Sequence, residues 1–361
     1  LAYAHDHPVA AILGVDDSGT VLAARAGAAL GLPHNAPQAA EAASDKAAMR
    51  AHFAAAGVPS PPFQKFSVRD DPEEIVEAVG EGAIGFPCVL KPTRLSASKG
   101  VMRADNAFEF LERFERLKRI LAKEGCDDLV VESFIPGREV ALEGLLQAGR
   151  LTVLALFDKP DPLDGPFFEE TIYVTPSRLP AETQAAIAAT AQAACAALGL
   201  REGPVHAELR VNAGGPVLVE VAARSIGGLC ARTLRFTHNA DVSLEELILR
   251  QALGQPAAAA ERERQAGGVM MIPIPGAGLL KGVAGLAAAE AVPGIEAIEI
   301  TAPLDQPLTP LPEGDSYLGF IFARGATPGD VEDALRQAHA HLRFEIVPAI
   351  SLEPRRPAAN F

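Results

Sequence analysis

Two Val-rich stretches of strand pattern, Val205–Val211 and Val217–Val221, flank the turn Asn212-Ala213-Gly214-Gly215, a pattern that closes into an antiparallel hairpin. Side chains alternate along a strand, so His206, Glu208 and Arg210 share one face. Glu220, Ala222 and Arg224 share a face in the same way if the second strand extends that far. Pairing the strands then brings Glu208 and Glu220 together. Two carboxylates so placed repel unless a divalent cation lies between them, and Mg²⁺ takes oxygen ligands. An exposed acidic sheet face is the alternative, against which Val205, Leu209, Val217, Val219 and Val221 argue for a buried sheet.

The 361 residues exceed one ordinary core, so two or three domains are expected. No apolar run reaches the roughly 20 residues that span a bilayer, and the chain is read as cytoplasmic, with no membrane partner. A formal charge of −14 argues against a nucleic-acid partner and requires any nucleotide site to supply its own lysines and arginines. Cys88, Cys126, Cys195 and Cys230 have no CxxC spacing and suggest no disulfide framework. Cys195, within an Ala-rich helix, reads as core packing. The opening Leu1–His7 lacks an initiator Met and a basic leader, which suggests a longer protein cut inside its first domain.

Along the chain, Val9–Val15 is an apolar run of buried parallel-strand type. Asp16 and Asp17 follow it at a turn into an Ala-rich helix, placed to cap that helix or, less simply, to meet a ligand. Ser44 or Asp45 caps a second helix that ends at Gly57. A buried strand ends at Lys91, and a charged helix spans about 107–122. Strands at 129–135 and 140–146 surround Pro136-Gly137, and a long Ala helix runs from Ala181 to Leu198. The stretch 255–266 reads as a linker or short surface helix. Beyond it, 267–275, 297–301, 317–323 and 343–347 are strand candidates. The expected organisation is a partial N-terminal doubly wound α/β domain (1–43), a nucleotide domain of two subdomains (44–254) and a small antiparallel C-terminal domain (267–350), α/β and α+β in class.

Three further segments carry chemistry. After Lys91 comes Ser96-Ala97-Ser98-Lys99-Gly100, a small-residue loop able to bring backbone amides to phosphate oxygens, or simply a surface loop. Glu132-Ser133-Phe134-Ile135 offers a backbone edge and apolar faces to an adenine, and Glu139 a carboxylate to a ribose; a hairpin with exposed acids is the plainer alternative. The third is the Glu208/Glu220 hairpin.

In this order and spacing, Lys46, Lys91, the Ser96–Val101 loop, Glu132–Glu139, Glu208 and Glu220-x-x-x-Arg224 resemble the ATP-grasp superfamily over about 44–254. The resemblance implies an ATP-grasp fold and ATP with Mg²⁺, or Mn²⁺ in its place. It gives Lys46 and Lys91 to the phosphates, with Lys91 also at the adenine edge, and makes Ser96, Ser98, Lys99 and Gly100 part of a closing loop. Glu132, Phe134 and Ile135 match the adenine hinge, Glu139 the ribose acid, and Glu208 and Glu220 the metal ligands. Arg224 matches the arginine that steadies the acyl phosphate. Two positions depart from the pattern: Ala222 stands where many relatives carry Asn, and the loop is Ser/Ala-rich where several have glycines.

A narrower resemblance is to the L-amino acid ligases. It rests on Phe157-Asp158-Lys159-Pro160, Gly165-Pro166-Phe167-Phe168-Glu169-Glu170, Arg224-Ser225-Ile226-Gly227-Gly228 and the Gly-turned C-terminal module with Tyr317-Leu318-Gly319-Phe320. It implies amide formation between small-molecule carboxylate and amine substrates, amino acids among them, and a homodimer as a common assembly. Lys159 and His206 then point toward the substrate, against a surface lysine and a core histidine. An ATP-grasp carboxylase or purine-pathway ligase is the sibling alternative, and a non-catalytic nucleotide-binding protein the alternative from another class.

Overall fold

In the computed structural model, which describes residues 2–237, 241–255 and 261–348, strands Gly203–Asn212 and Gly215–Ala222 pair antiparallel with Glu208 opposite Glu220. A bulge between Glu208 and Leu209 interrupts the ladder beside these acids, and bulges commonly re-aim a side chain. The hairpin forms one edge of an eight-stranded antiparallel sheet. From the other edge the order is Ile295–Ile300, Gly319–Gly325, Ala266–Ile272, Ile172–Thr175, Arg150–Asp158, Arg138–Gln147 and then the hairpin. C-terminal strands therefore continue the central sheet. A second C-terminal sheet joins Pro307–Leu308, Gly278–Ala284 and Arg343–Val347.

One core lies between the central sheet and helices Lys46–Ala56 and Ala181–Leu198, where Phe53, Ile187, Cys195 and Leu209 are fully buried. A smaller four-stranded sheet, Phe63–Ser67, Asp128–Ser133, Cys88–Pro92 and Met102–Ala104, packs on helix Ala107–Glu124. Phe110, Phe114, Leu117 and Leu121 recur at helical spacing on that helix and are fully buried. Asn106 caps its start by accepting from the Glu109 amide, and Gly125 ends it in the left-handed region at φ 68°. A cavity opens between this small sheet and the hairpin edge of the large one.

Val9–Val15 is not a strand. Residues 8–16 join no sheet of the described residues; Leu13 packs on a core cluster while Val15 is 81% exposed. An apolar run alone does not distinguish strand from packed coil, since a strand also needs a neighbour to complete its ladder. Asp16 does cap the next helix, Asp17–Leu30, by accepting from the Gly19 amide. Within the stretch read as linker or helix, Glu261–Arg262 is a short strand paired with Phe236–Thr237, and 256–260 fall outside the described residues. Among those residues no helix is long and apolar enough to cross a membrane.

Candidate active site

Lys46 and Arg50 stand one turn apart on helix Lys46–Ala56, and both are buried. Asp45 caps the helix through the Ala47 and Ala48 amides, so Lys46 adds its charge to the positive helix end. Its Nζ donates to the Leu95 carbonyl at 2.7 Å and lies 3.5 Å from Glu220. Lys91 pairs with the Oε1 of Glu132, whose Oε2 accepts from Arg50 Nε at 2.9 Å. Burial opposes the Glu132 charge, but Arg50 and Lys91 outweigh it and bring its pKa down to about 2. Its contribution to stability is thus present above the ordinary carboxylate range and is lost as pH falls through about 2. Glu132→Gln strands two buried cations, and we expect a loss of about 3–5 kcal/mol in urea unfolding at neutral pH. The variant's acid-unfolding profile should lack the Glu132 contribution between the ordinary carboxylate range and about pH 2. An unchanged midpoint would show that the trio is dispensable.

Ser96, Ala97 and Ser98 line the cavity. Ala97 and Ser98 take φ of 51° and 56°, a region non-glycine residues seldom adopt. Lys99 and Gly100, expected in the loop's ligand set, are engaged by other partners. Lys99 Nζ lies 2.8 Å from Glu124 and 3.4 Å from Asp315, drawn outward by these acids. The Gly100 amide donates to the Pro312 carbonyl at 2.8 Å. The loop is thereby fastened to the C-terminal segment.

At the hinge, the Ser133 and Phe134 amides are engaged by the Pro62 and Pro87 carbonyls. Two guanidinium groups approach the Phe134 ring, Arg103 at 4.2 Å and Arg210 at 5.0 Å from its centre. Arg210 also donates to the Ile135 carbonyl and to Glu139 Oε2 at 2.9 Å. Each oxygen of Glu139 accepts one cation, Lys159 on Oε1 and Arg210 on Oε2. A carboxylate oxygen has a second lone pair, so capacity remains for a hydroxyl.

Lys159 is neither on the surface nor on the cavity wall. It is buried beneath the wall, its Nζ 2.7 Å from Glu139, 2.8 Å from Glu170 and 2.8 Å from Glu208. Burial opposes its charge, yet the three carboxylates hold its pKa well above the ordinary lysine range. These three acids approach one another as metal ligands would, but the ammonium already sits among them. Glu220 is outside that group. His206 is buried, 3.4 Å from Glu143 and 3.4 Å from Glu208. Burial disfavours its charge, but the two acids prevail and raise its pKa to about 9.

Glu208 and Glu220 both line the cavity as direct cross-strand partners. Among the described residues, the hydrogen bonds to Glu208 fall on its Oε1, from Lys159, Tyr173 and His206. That leaves hard oxygen donors facing the cavity from both strands, a set that fits Mg²⁺. Arg224 lies on the same wall, paired with Asp17 at 2.7 and 2.8 Å. Phe168, Glu170, Tyr173, Met271 and Tyr317 also line the cavity, whose volume is about 330 Å³.

Sequence reasoning did not single out Arg50, Glu143 or Asp17's tie to Arg224. Arg50 was detectable as a second cation one turn beyond Lys46, and Glu143 as an acid inside an apolar strand. Glu143 is fully buried; burial raises its pKa, and its Oε2 accepts from the Ile226 amide at 3.0 Å.

A family model described as an ATP-grasp domain matches residues 84–233. This segment is an ATP-grasp domain. A second model, the L-amino acid ligase C-terminal domain 2, matches 270–347. The chain is 30% identical over 218 residues to the alanine–anticapsin ligase of Bacillus subtilis, covering 55% of this chain and 44% of that protein. Carnosine synthase 1 of Gallus gallus is 30% identical over 203 residues, covering 53% of this chain and 22% of that protein. The chain thus spans less than half the length of either relative. The solved L-amino acid ligase from Bacillus licheniformis superposes with a TM-score of 0.81 at 25% identity, over 96% of this chain and 84% of that one.

Proposed function

We infer that this protein is an ATP-dependent carboxylate–amine ligase that forms an amide, a dipeptide in the leading case, and releases ADP and phosphate. The observation that carries this reading is the convergence on one cavity of Lys46, Lys91, the Glu208/Glu220 pair and Arg224. Nucleotide binding alone has no use for a guanidinium beyond the acids. The similarity to an alanine–anticapsin ligase and to an L-amino acid ligase supports amino acids as substrates. So does part of the cavity lining, where the Glu170 carboxylate is joined by Phe168, Tyr173, Met271 and Tyr317, a setting for an ammonium group next to an apolar side chain. The same reading places residues 44–254 as the nucleotide domain, 267–350 as a closing domain, and the activity in a reducing cytoplasm.

In this mechanism Ser96 and Ser98 cover the triphosphate, while Lys46 and Lys91 neutralise it. Ile135 and Phe134 hold the adenine edge, and Glu139 accepts from the ribose. Glu208 and Glu220 would hold Mg²⁺, which supplies charge neutralisation to the phosphate oxygens. A substrate carboxylate oxygen attacks the γ-phosphorus and ADP leaves. The amine then attacks the acyl carbon, gives up a proton, and phosphate departs. Arg224 faces the oxygens that gain charge in both steps.

The test is a phosphate-release screen across all pairs of the common amino acids, with mass spectrometry of products from active pairs. ADP and phosphate should appear in equal amounts with the amide. Stoichiometric AMP would eliminate the acyl-phosphate route, and no release with any pair would favour a non-catalytic nucleotide-binding protein.

A further inference from the structure

Arg224 is held from an unexpected direction. Asp17 begins the helix Asp17–Leu30, directly after its cap Asp16, and its side chain reaches a residue 207 positions later. Asp17 Oδ1 accepts from Arg224 Nε at 2.7 Å and Oδ2 from Nη2 at 2.8 Å. The carboxylate thus occupies one whole edge of the guanidinium as a two-point fork. Arg224 Nη1 donates to the Ser225 carbonyl at 2.9 Å. A guanidinium has five N–H donors in fixed directions. Three are spent on these contacts, which leaves two, one on Nη1 and one on Nη2.

Both residues line the candidate active-site cavity. The next carboxylates whose charge reaches Arg224 are Glu220 and Glu208, the acids read above as metal ligands. An unrestrained guanidinium would be drawn onto them. Asp17 supplies the competing anchor, and a fork fixes the plane of the group as well as its position.

The geometry points to Asp17 as a positioning residue that takes one edge of the Arg224 guanidinium, keeps it off Glu208 and Glu220, and leaves its remaining Nη1 and Nη2 donors for the reacting carboxylate and phosphoryl oxygens. This rests on the ligase reading. It brings the segment before residue 44 into the active site, which neither family match covers. Asp17 acts only through Arg224 and itself touches no reacting atom.

Asp17→Asn keeps size and helix position but places an amide N–H₂ against a guanidinium, so the fork cannot form. Misplacing a reacting group by about 1 Å can cost on the order of 100-fold, and we expect kcat to fall about 10- to 100-fold with KM for ATP within about threefold. Asp17→Glu restores a carboxylate and should recover activity to within about tenfold of the unmodified chain by the same positional reasoning. A double-mutant cycle isolates the pair: in an Arg224→Ala background, Asp17→Asn should cost less than about threefold more. Thermal melting confirms that each variant is folded. The inference is overturned if Asp17→Asn turns over normally, if Asp17→Glu is no better than Asp17→Asn, or if the full loss recurs without Arg224. An unmodified chain that releases no phosphate with any amino-acid pair removes the ligase reading and this inference with it. An active unmodified chain with an equally active Asp17→Asn removes only the inference.

Discussion

Replacing Arg224 by Lys is expected to lower kcat by about 10²–10³-fold, nearly as much as replacing it by Ala, the usual range for losing one preorganised donor at a developing charge. ATP binding should change far less. The expectation follows from how the side chain is used. One edge of the guanidinium is fastened to Asp17 and Nη1 to Ser225, so the donors that remain have fixed directions. A lysine ammonium keeps the charge but cannot satisfy a two-point carboxylate and also present two aimed donors. As charge gathers on the tetrahedral carbon's oxygen, the aimed cation stabilises it more than the ground state, which raises kcat. Steady-state rates and equilibrium ATP binding decide the matter. Normal turnover with Lys, or lost ATP binding with intact turnover at saturation, would show that Arg224 has been misassigned.

The second large effect concerns the paired acids. Glu220→Gln should lower turnover at least about 100-fold at fixed Mg²⁺, since even outer partners of metal ligands cost about 10–100-fold in metal affinity or activity. Raising Mg²⁺ should recover part of the loss. Glu208→Gln should do more damage, because Glu208 also receives Lys159 at 2.8 Å and lies 3.4 Å from His206. Removing its charge leaves Lys159 with Glu139 and Glu170 alone. We therefore expect Glu208→Gln to lose thermal stability as well as activity, and Glu220→Gln to lose activity with its melting temperature nearly unchanged. Mg²⁺ titrations and melting curves of both variants separate the two roles. Full activity in both would remove the metal assignment.

Much of this was legible in the sequence where local rules decide. The 203–222 hairpin follows from Val-rich strand patterns around a Gly-Gly turn, and alternation sets Glu208 against Glu220. Helix Ala181–Leu198 has the bounds read from its Ala run. Val9–Val15 misled because continuous apolarity says nothing about a pairing partner. Lys159 could not be placed, because what decides its burial is three acids at separations of 20, 11 and 49 residues. Lys99 was drawn with its loop, yet Asp315, 216 residues away, contributes to its direction. The Asp17–Arg224 fork is the extreme case: each residue has an ordinary local reading, and only the fold joins them.

The central claim is that a carboxylate oxygen attacks the γ-phosphorus of ATP and leaves with the phosphate when the amine displaces it. Incubating the protein with ATP, Mg²⁺ and an active amino-acid pair whose carboxylate donor carries ¹⁸O in both oxygens tests this directly. The account predicts one ¹⁸O in each inorganic phosphate released, one retained in the amide carbonyl, and none in the nucleotide. Unlabelled phosphate alongside labelled AMP would contradict it.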